Sequence, residues 1–221
     1  MDVGGRVVLV TGGGRGIGEA TARAFAQAGA RVAIVARTEE EVMQVADEIG
    51  GLGLVGDVRF SEDCERVARE VVDHFGAVDI LINNAGVAVT KPLIEHTEQE
   101  YDEIMETNVK GVFLMTKAVC SVAQPKIVLT VSSGASRAGY PGLSVYCASK
   151  FALRGLLESF AQETHAKVYS VLPGPGDSRM LRELFDPRAR TNPSLVADAI
   201  VSLCQEEPET GFELELDREK V

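Results

Sequence analysis

The chain has 221 residues, 45% of them hydrophobic and 25% charged, with 22 basic against 33 acidic side chains and a net charge of −11. That length suits one sizeable domain and is short for two, and the negative charge argues against nucleic acid or an anionic membrane as partner and for a small metabolite. No apolar run approaches the roughly 20 residues of a membrane span, and "MDVGGRVVLV" lacks the charged start and cleavage site of a secretory signal, so a cytoplasmic protein is expected.

Short β-branched runs alternate with segments of helical period. In chain order the predicted elements are the strand "RVVLV" (6–10) and a helix over 16–28, then "RVAIVA" (31–36) and a helix over 38–49, then "LGLVG" (52–56) and a helix over 61–75. The strand "VDILI" (78–82) leads into one long helical stretch over about 98–122. After it come "KIVLTVS" (126–132), a helix over about 144–165, "KVYSVL" (167–172), a helix over about 194–206 and the strand "FELEL" (212–216). Strands apolar throughout, each followed by a helix, imply an α/β fold: a Rossmann-type, doubly wound parallel sheet of about seven strands with helices on both faces. Cys64, Cys120, Cys147 and Cys204 are scattered, as are His74, His96 and His165, so no metal site is expected.

In such a sheet ligands bind beyond the carboxyl ends of the strands. The first strand runs into "TGGGRGIG" (11–18) and then a helix. Glycines there let a pyrophosphate approach the backbone, and the free N–H groups and positive end of the helix bind its charge, which assigns Gly12, Arg15, Gly16, Ile17 and Gly18 to a dinucleotide site. The spacing is G-x-x-x-G-x-G, not the strict G-x-G-x-x-G. At the second strand end, Ala36 and Arg37 stand where an NAD-specific site carries an acid for the ribose 2′-hydroxyl. Arg37, with Arg15 from the glycine turn, can pair with a 2′-phosphate, so NADP(H) is favoured over NAD(H).

"GDV" (56–58) closes the third strand. Asp57 can accept from an adenine amino group while the Val58 N–H donates to the ring. "NNAG" (83–86) closes the fourth, where Asn83, Asn84, Ala85 and Gly86 can line the adenine ribose. The fifth strand ends at Ser132 and Ser133, shortly before "SVYCASKFALRG" (144–155), in which Tyr146 and Lys150 share one helical face. The sixth ends "LPGPGDSRM", where Pro173 and Gly174 fix a turn able to cover a nicotinamide, with Ser178 beyond it.

"TGGGRGIG", "DV", "NNAG", the Asn of "TNVKG", "SS", "YCASK" and "PG" occur in the order and near the spacings of the short-chain dehydrogenase/reductase family, which the chain resembles from its first strand to about residue 207. The resemblance implies a catalytic tetrad of Asn108, Ser133, Tyr146 and Lys150. Tyr146 would exchange a proton with the substrate oxygen, Lys150 would favour the phenolate and bind the nicotinamide ribose, Ser133 would hold the reacting oxygen, and Asn108 would fix a relay water. Ser178 would reach the nicotinamide amide. It further implies interconversion of a carbonyl and an alcohol, and a homo-dimer or homo-tetramer. A 3-oxoacyl-thioester reductase and a non-catalytic NADP(H)-sensing regulator on the same fold stay open as alternatives. Three departures bear on substrate and assembly. The segments from Asn108 to Ser133 and from Lys150 to Pro173 are each a few residues short, the substrate-covering lid at about 175–193 is brief and carries Arg179, Arg182, Arg188 and Arg190, and the ending "FELELDREKV" lacks the usual glycines.

Overall fold

Seven parallel strands follow the order β3-β2-β1-β4-β5-β6-β7 in the computed structural model, which describes residues 1–173 and 192–216. They are β1 (Val7–Thr11), β2 (Arg31–Ala36), β3 (Leu52–Val55), β4 (Ile80–Asn83), β5 (Ile127–Val131), β6 (Lys167–Pro173) and β7 (Glu213–Leu216). The helices are α1 (Gly16–Gln27), α2 (Glu39–Ile49), α3 (Ser61–Phe75), α4 (Glu98–Met105), α5 (Gly111–Val122), α6 (Ser144–Glu163) and α7 (Pro193–Glu206). The expected alternation and parallel pairing are present, with strand ends displaced by one or two residues.

The sheet is covered on both faces because its central strands carry apolar side chains on both of them. Along β1, Val8 and Val10 point into one core, shared with Phe25 of α1, Val42 of α2 and Ile200 of α7. Val7 and Leu9 point into the other, against Val67 and Val71 of α3 and Met115 and Val119 of α5. Period-2 alternation divides one strand between two cores, and each fully buried side chain of this size contributes about 1.5–3 kcal/mol.

The chain builds outward from β1 through β2 to β3, then returns to place β4 on the other flank of β1, with Val8 opposite Ile80 and Val10 opposite Ile82. Two neighbouring parallel strands whose crossovers run in opposite directions leave a crevice at their carboxyl ends. Thr11 and Asn83 are the last residues of these two strands, so the topology itself locates the crevice.

The expected single helix over 98–122 is interrupted. Glu106–Lys110 forms a π turn between α4 and α5, closed by the Gly111 N–H donating to the Glu106 carbonyl. The extra residue in the turn rotates Thr107 and Asn108 inward, where both are buried.

Candidate active site

A cleft of about 390 Å³ occupies the crevice. Gly12, Arg15, Gly16, Ile17, Arg37, Asp57, Val58, Asn84, Ala85, Gly86, Ser133, Tyr146, Lys150 and Pro173 all line it, bringing together groups from the ends of six strands and from α6. A wider, more open groove of about 680 Å³ lies beyond β3 and shares Arg37 and Asp57, but has none of the β5 and α6 groups. The cleft at the crossover point is therefore the one where the candidate chemistry converges.

Thr11 organises the middle of the cleft. Its hydroxyl accepts from the N–H groups of Asn84 and Ala85, both at 3.0 Å, and donates to the Ile82 carbonyl at 3.4 Å. Asn84 answers with its side-chain amide, which donates to the carbonyls of Thr11 (2.9 Å) and Gly12 (3.2 Å). The glycine turn is thus fastened to the end of β4. Gly12 and Gly16 have φ of 66° and 60°, a left-handed conformation that a side chain would strain. Gly18 does not line the cleft; it lies beneath the turn, where an added Cβ would overlap the Gly12 carbonyl oxygen.

Asn83 departs from expectation. It is buried, and its amide donates to Thr116 Oγ1 on α5 at 3.0 Å. Successive strand residues face opposite sides, so only one of the paired asparagines can turn toward the crevice, and that one is Asn84.

Charged side chains gather at the β2 and β3 end. Arg15 lies 3.6 Å from Glu41 of α2, and Arg37 lies 3.9 Å from Glu103 of α4. Asp57 holds Arg59 with contacts of 2.6–3.1 Å from the guanidinium and a 3.0 Å bond from the Arg59 N–H. Burial by itself pushes the Asp57 carboxyl up, but these bonds hold it below the usual carboxylate range.

At the β5 end Lys150 is buried, and Ser133 and Tyr146 are half-buried. Lys150, 5% exposed, donates from Nζ to the Val131 carbonyl at 3.2 Å and lies 5.5 Å from the centre of the Tyr146 ring. Burial pulls the Lys150 ammonium down to about 8 and pushes the Tyr146 phenol up to about 12, the Ser133 hydroxyl opposing the latter by its hydrogen bond. The phenol is therefore protonated at neutral pH. Both serines after β5 line the cleft, and Ser133 is the one that bears on the phenol.

Asn108 sits fully buried behind the cleft. Its Oδ1 accepts from the Val87 N–H at 2.8 Å, and its Nδ2 donates to the Val87 carbonyl (2.9 Å) and to Ser149 Oγ (3.0 Å). Ser149 Oγ donates in turn to the Tyr146 carbonyl at 2.7 Å. The π turn is thereby tied to the backbone of Tyr146.

Sequence reasoning missed Thr11, Arg59, Ser149 and Thr107; the last has a hydroxyl buried at the cleft with no partner among the described residues. A polar residue at a strand end marked Thr11, and the serine in "YCASK" marked Ser149. Nothing local marked the other two. Gly174, Ser178, the lid over 175–193 and its four arginines lie outside the described residues. Cys147 is buried against Ala135 and Leu143, as a packing residue is. Among the described residues no helix is long and apolar enough to cross a membrane.

The family model described as short chain dehydrogenase matches residues 6–189. A 3-oxoacyl-[acyl-carrier-protein] reductase of Vibrio cholerae is 36% identical over 194 residues, covering 84% of this chain and 80% of the other. Among solved structures, a 3-ketoacyl-(acyl-carrier-protein) reductase from Brucella melitensis complexed with NADH superimposes with a TM-score of 0.90 at 30% identity, covering 99% of each chain. An alcohol dehydrogenase from Thermococcus sibiricus complexed with 5-hydroxy-NADP gives 0.86 at 28% identity, covering 98% of this chain and 97% of the other.

Proposed function

The chain belongs to the short-chain dehydrogenase family and is an oxidoreductase, and we propose that it interconverts a carbonyl and an alcohol with NADP(H) as preferred cofactor and Tyr146 as proton donor and acceptor. The observation that carries this reading is the convergence of the Tyr146 phenol, the Ser133 hydroxyl and the Lys150 ammonium in one cleft, at the opposite end from Arg15 and Arg37. The residues fit a dinucleotide. The first-turn N–H groups of Gly16 and Ile17 have no intrahelical acceptor, and the N-cap residue Arg15 supplies no side-chain cap, which leaves donors for a pyrophosphate.

A bound nicotinamide cofactor supplies or accepts the hydride. Arg37 and Arg15 hold a 2′-phosphate, Asp57 and Val58 meet the adenine, and Asn84, Ala85 and Gly86 border the ribose. Lys150 holds the nicotinamide-side ribose hydroxyls with its ammonium. Ser133 donates a hydrogen bond to the carbonyl oxygen of the substrate and sets its distance from the phenol. Tyr146 gives its phenolic proton to that oxygen as it gains charge, and takes it back in oxidation. Asn108 is a positioning residue: both of its amide hydrogens are committed to Val87 and Ser149, so it acts by fixing the segment from which Tyr146 projects. Gly174 and Ser178 are assigned to the nicotinamide end with Pro173.

Among substrates, a 3-oxoacyl thioester is favoured by the names of the Vibrio and Brucella relatives. The whole chain is read as one domain in the cytoplasm, acting on a small molecule. A homo-dimer or homo-tetramer is supported by the exposed rings of Phe113 on α5 and Phe151 on α6. Oxidation of NADPH, followed by absorbance across ketone, aldehyde and 3-oxoacyl-thioester panels and repeated with NADH, tests the proposal. Turnover of one panel with NADPH ahead of NADH is expected. Tight NADPH binding with no turnover in any panel favours the sensing regulator.

A further inference from the structure

We infer that Glu41 and Glu103 set the strength of cofactor discrimination by acting as counter-ions to Arg15 and Arg37, an inference that rests on the NADP(H) reading above. Three guanidiniums stand at this end of the cleft, each with a carboxylate in ion-pair range: Arg15 with Glu41, Arg37 with Glu103, Arg59 with Asp57, while Glu103 and Glu106 also act on Arg59 and Arg37 on Asp57. The formal charge of the three pairs is zero. A 2′-phosphate therefore does not meet two uncommitted arginines; it meets two that are already partnered, and must compete with carboxylates for them.

The pairs are unequal. Arg59 grips Asp57 through several bonds at 2.6–3.1 Å, with both side chains largely shielded, and so stays closed. The other two pairs are long, at 3.6 and 3.9 Å, and between 38% and 63% exposed on every side chain. Pairs so exposed are weak and salt-screened, so a phosphate can open them at small cost. The carboxylates arrive from two different helices, α2 and α4, on either side of the phosphate-reading arginines. Glu41 also borders the cleft itself, where a carboxylate can accept from a ribose hydroxyl but repels a phosphate. The two acids thus weaken NADP(H) relative to NAD(H) without touching the groups near Tyr146.

The test is isothermal titration of the full chain with 2′,5′-ADP and with 5′-ADP, in wild type, Glu41→Gln, Glu103→Gln and Arg37→Ala. Each glutamine variant is expected to tighten 2′,5′-ADP about threefold to fivefold, roughly 0.7–1 kcal/mol, while 5′-ADP moves less than about twofold. The gain should shrink as salt is raised. Unchanged 2′,5′-ADP affinity in both glutamine variants, with a loss in Arg37→Ala, overturns the counter-ion role and leaves the NADP(H) reading standing. Equal gains for both probes also overturn it. Equal binding of the two probes by wild type, with a gain only for 2′,5′-ADP in the variants, supports the counter-ion role and refutes the NADP(H) preference of the native chain.

Discussion

At the β5 end of the cleft Lys150 is 5% exposed and, among the described residues, has only the Val131 carbonyl as a hydrogen-bond partner; at the β2 end the Arg15 and Arg37 side chains are 63% and 47% exposed and each faces a glutamate. Burial moves protonation equilibria by whole units at the first, bringing Lys150 to about 8 and Tyr146 to about 12, while the second keeps its charges solvated and pairs them loosely. One polypeptide thus separates two tasks. On the function proposed above, desolvation prepares a proton donor where bonds change, and screened ion pairs read the far end of a cofactor where only recognition is needed. Substitutions at the buried end should accordingly change rates by orders of magnitude, and those at the exposed end should change affinities by small factors.

Beside Tyr146, the largest effect is expected at Lys150. Lys150→Ala should lower kcat/KM for NADPH by about 10³-fold, since it removes a desolvated ammonium from both the ribose and the neighbourhood of the phenol. Lysine held at about 8 loses its proton as pH rises through that value. In wild type kcat/KM for NADPH should therefore fall about tenfold per unit above pH 8, and in Lys150→Arg the break should vanish. A flat profile in wild type contradicts the buried-end account. Stability carries the same signature with the sign reversed. The cost of burying the cation is full below pH 8 and fades toward the ordinary 10.5, so this group makes the fold more stable across that window.

Ser149→Ala should come next. It leaves one amide hydrogen of fully buried Asn108 without its acceptor, at a cost of about 1–3 kcal/mol in unfolding free energy by denaturant titration. Because Ser149 also holds the Tyr146 carbonyl, kcat should drop about tenfold with the KM for NADPH little changed. Lost stability without lost kcat would make the contact merely structural.

Arg37→Ala probes the exposed end and should raise the KM for NADPH about tenfold, the loss of one charge-assisted hydrogen bond, with NADH unaffected. Comparable weakening of both cofactors would break the assignment of Arg37. Smallest are the gains of a few-fold expected from Glu41→Gln and Glu103→Gln.

The two ends also differed in how far the sequence revealed them. "TGGGRGIG", "NNAG" and "YCASK" were readable because glycine at a strand-to-helix turn and a Tyr/Lys pair one helical turn apart are local patterns, and the alternation of apolar runs with helices placed them at strand ends. Asn84 lines the cleft and Asn83 does not, a distinction the sequence leaves open because a pair of identical residues does not declare which one faces the crevice until strand register is known. The π turn was invisible because the helical period continues through Glu106–Lys110, and the wide turn is a response to packing. The pairing of Arg15 with Glu41 and Arg37 with Glu103 joins separate crossovers, so only the folded chain brings these charges together.

Single-turnover kinetics of Tyr146→Phe, paired with a fluorescence titration of NADPH, measures the central claim most directly. The account predicts a loss of at least about 10³-fold in the rate of carbonyl reduction, with NADPH affinity kept within about twofold, because the phenol supplies the proton and the ring still fills its place. Reduction at a tenth or more of the wild-type rate would contradict it.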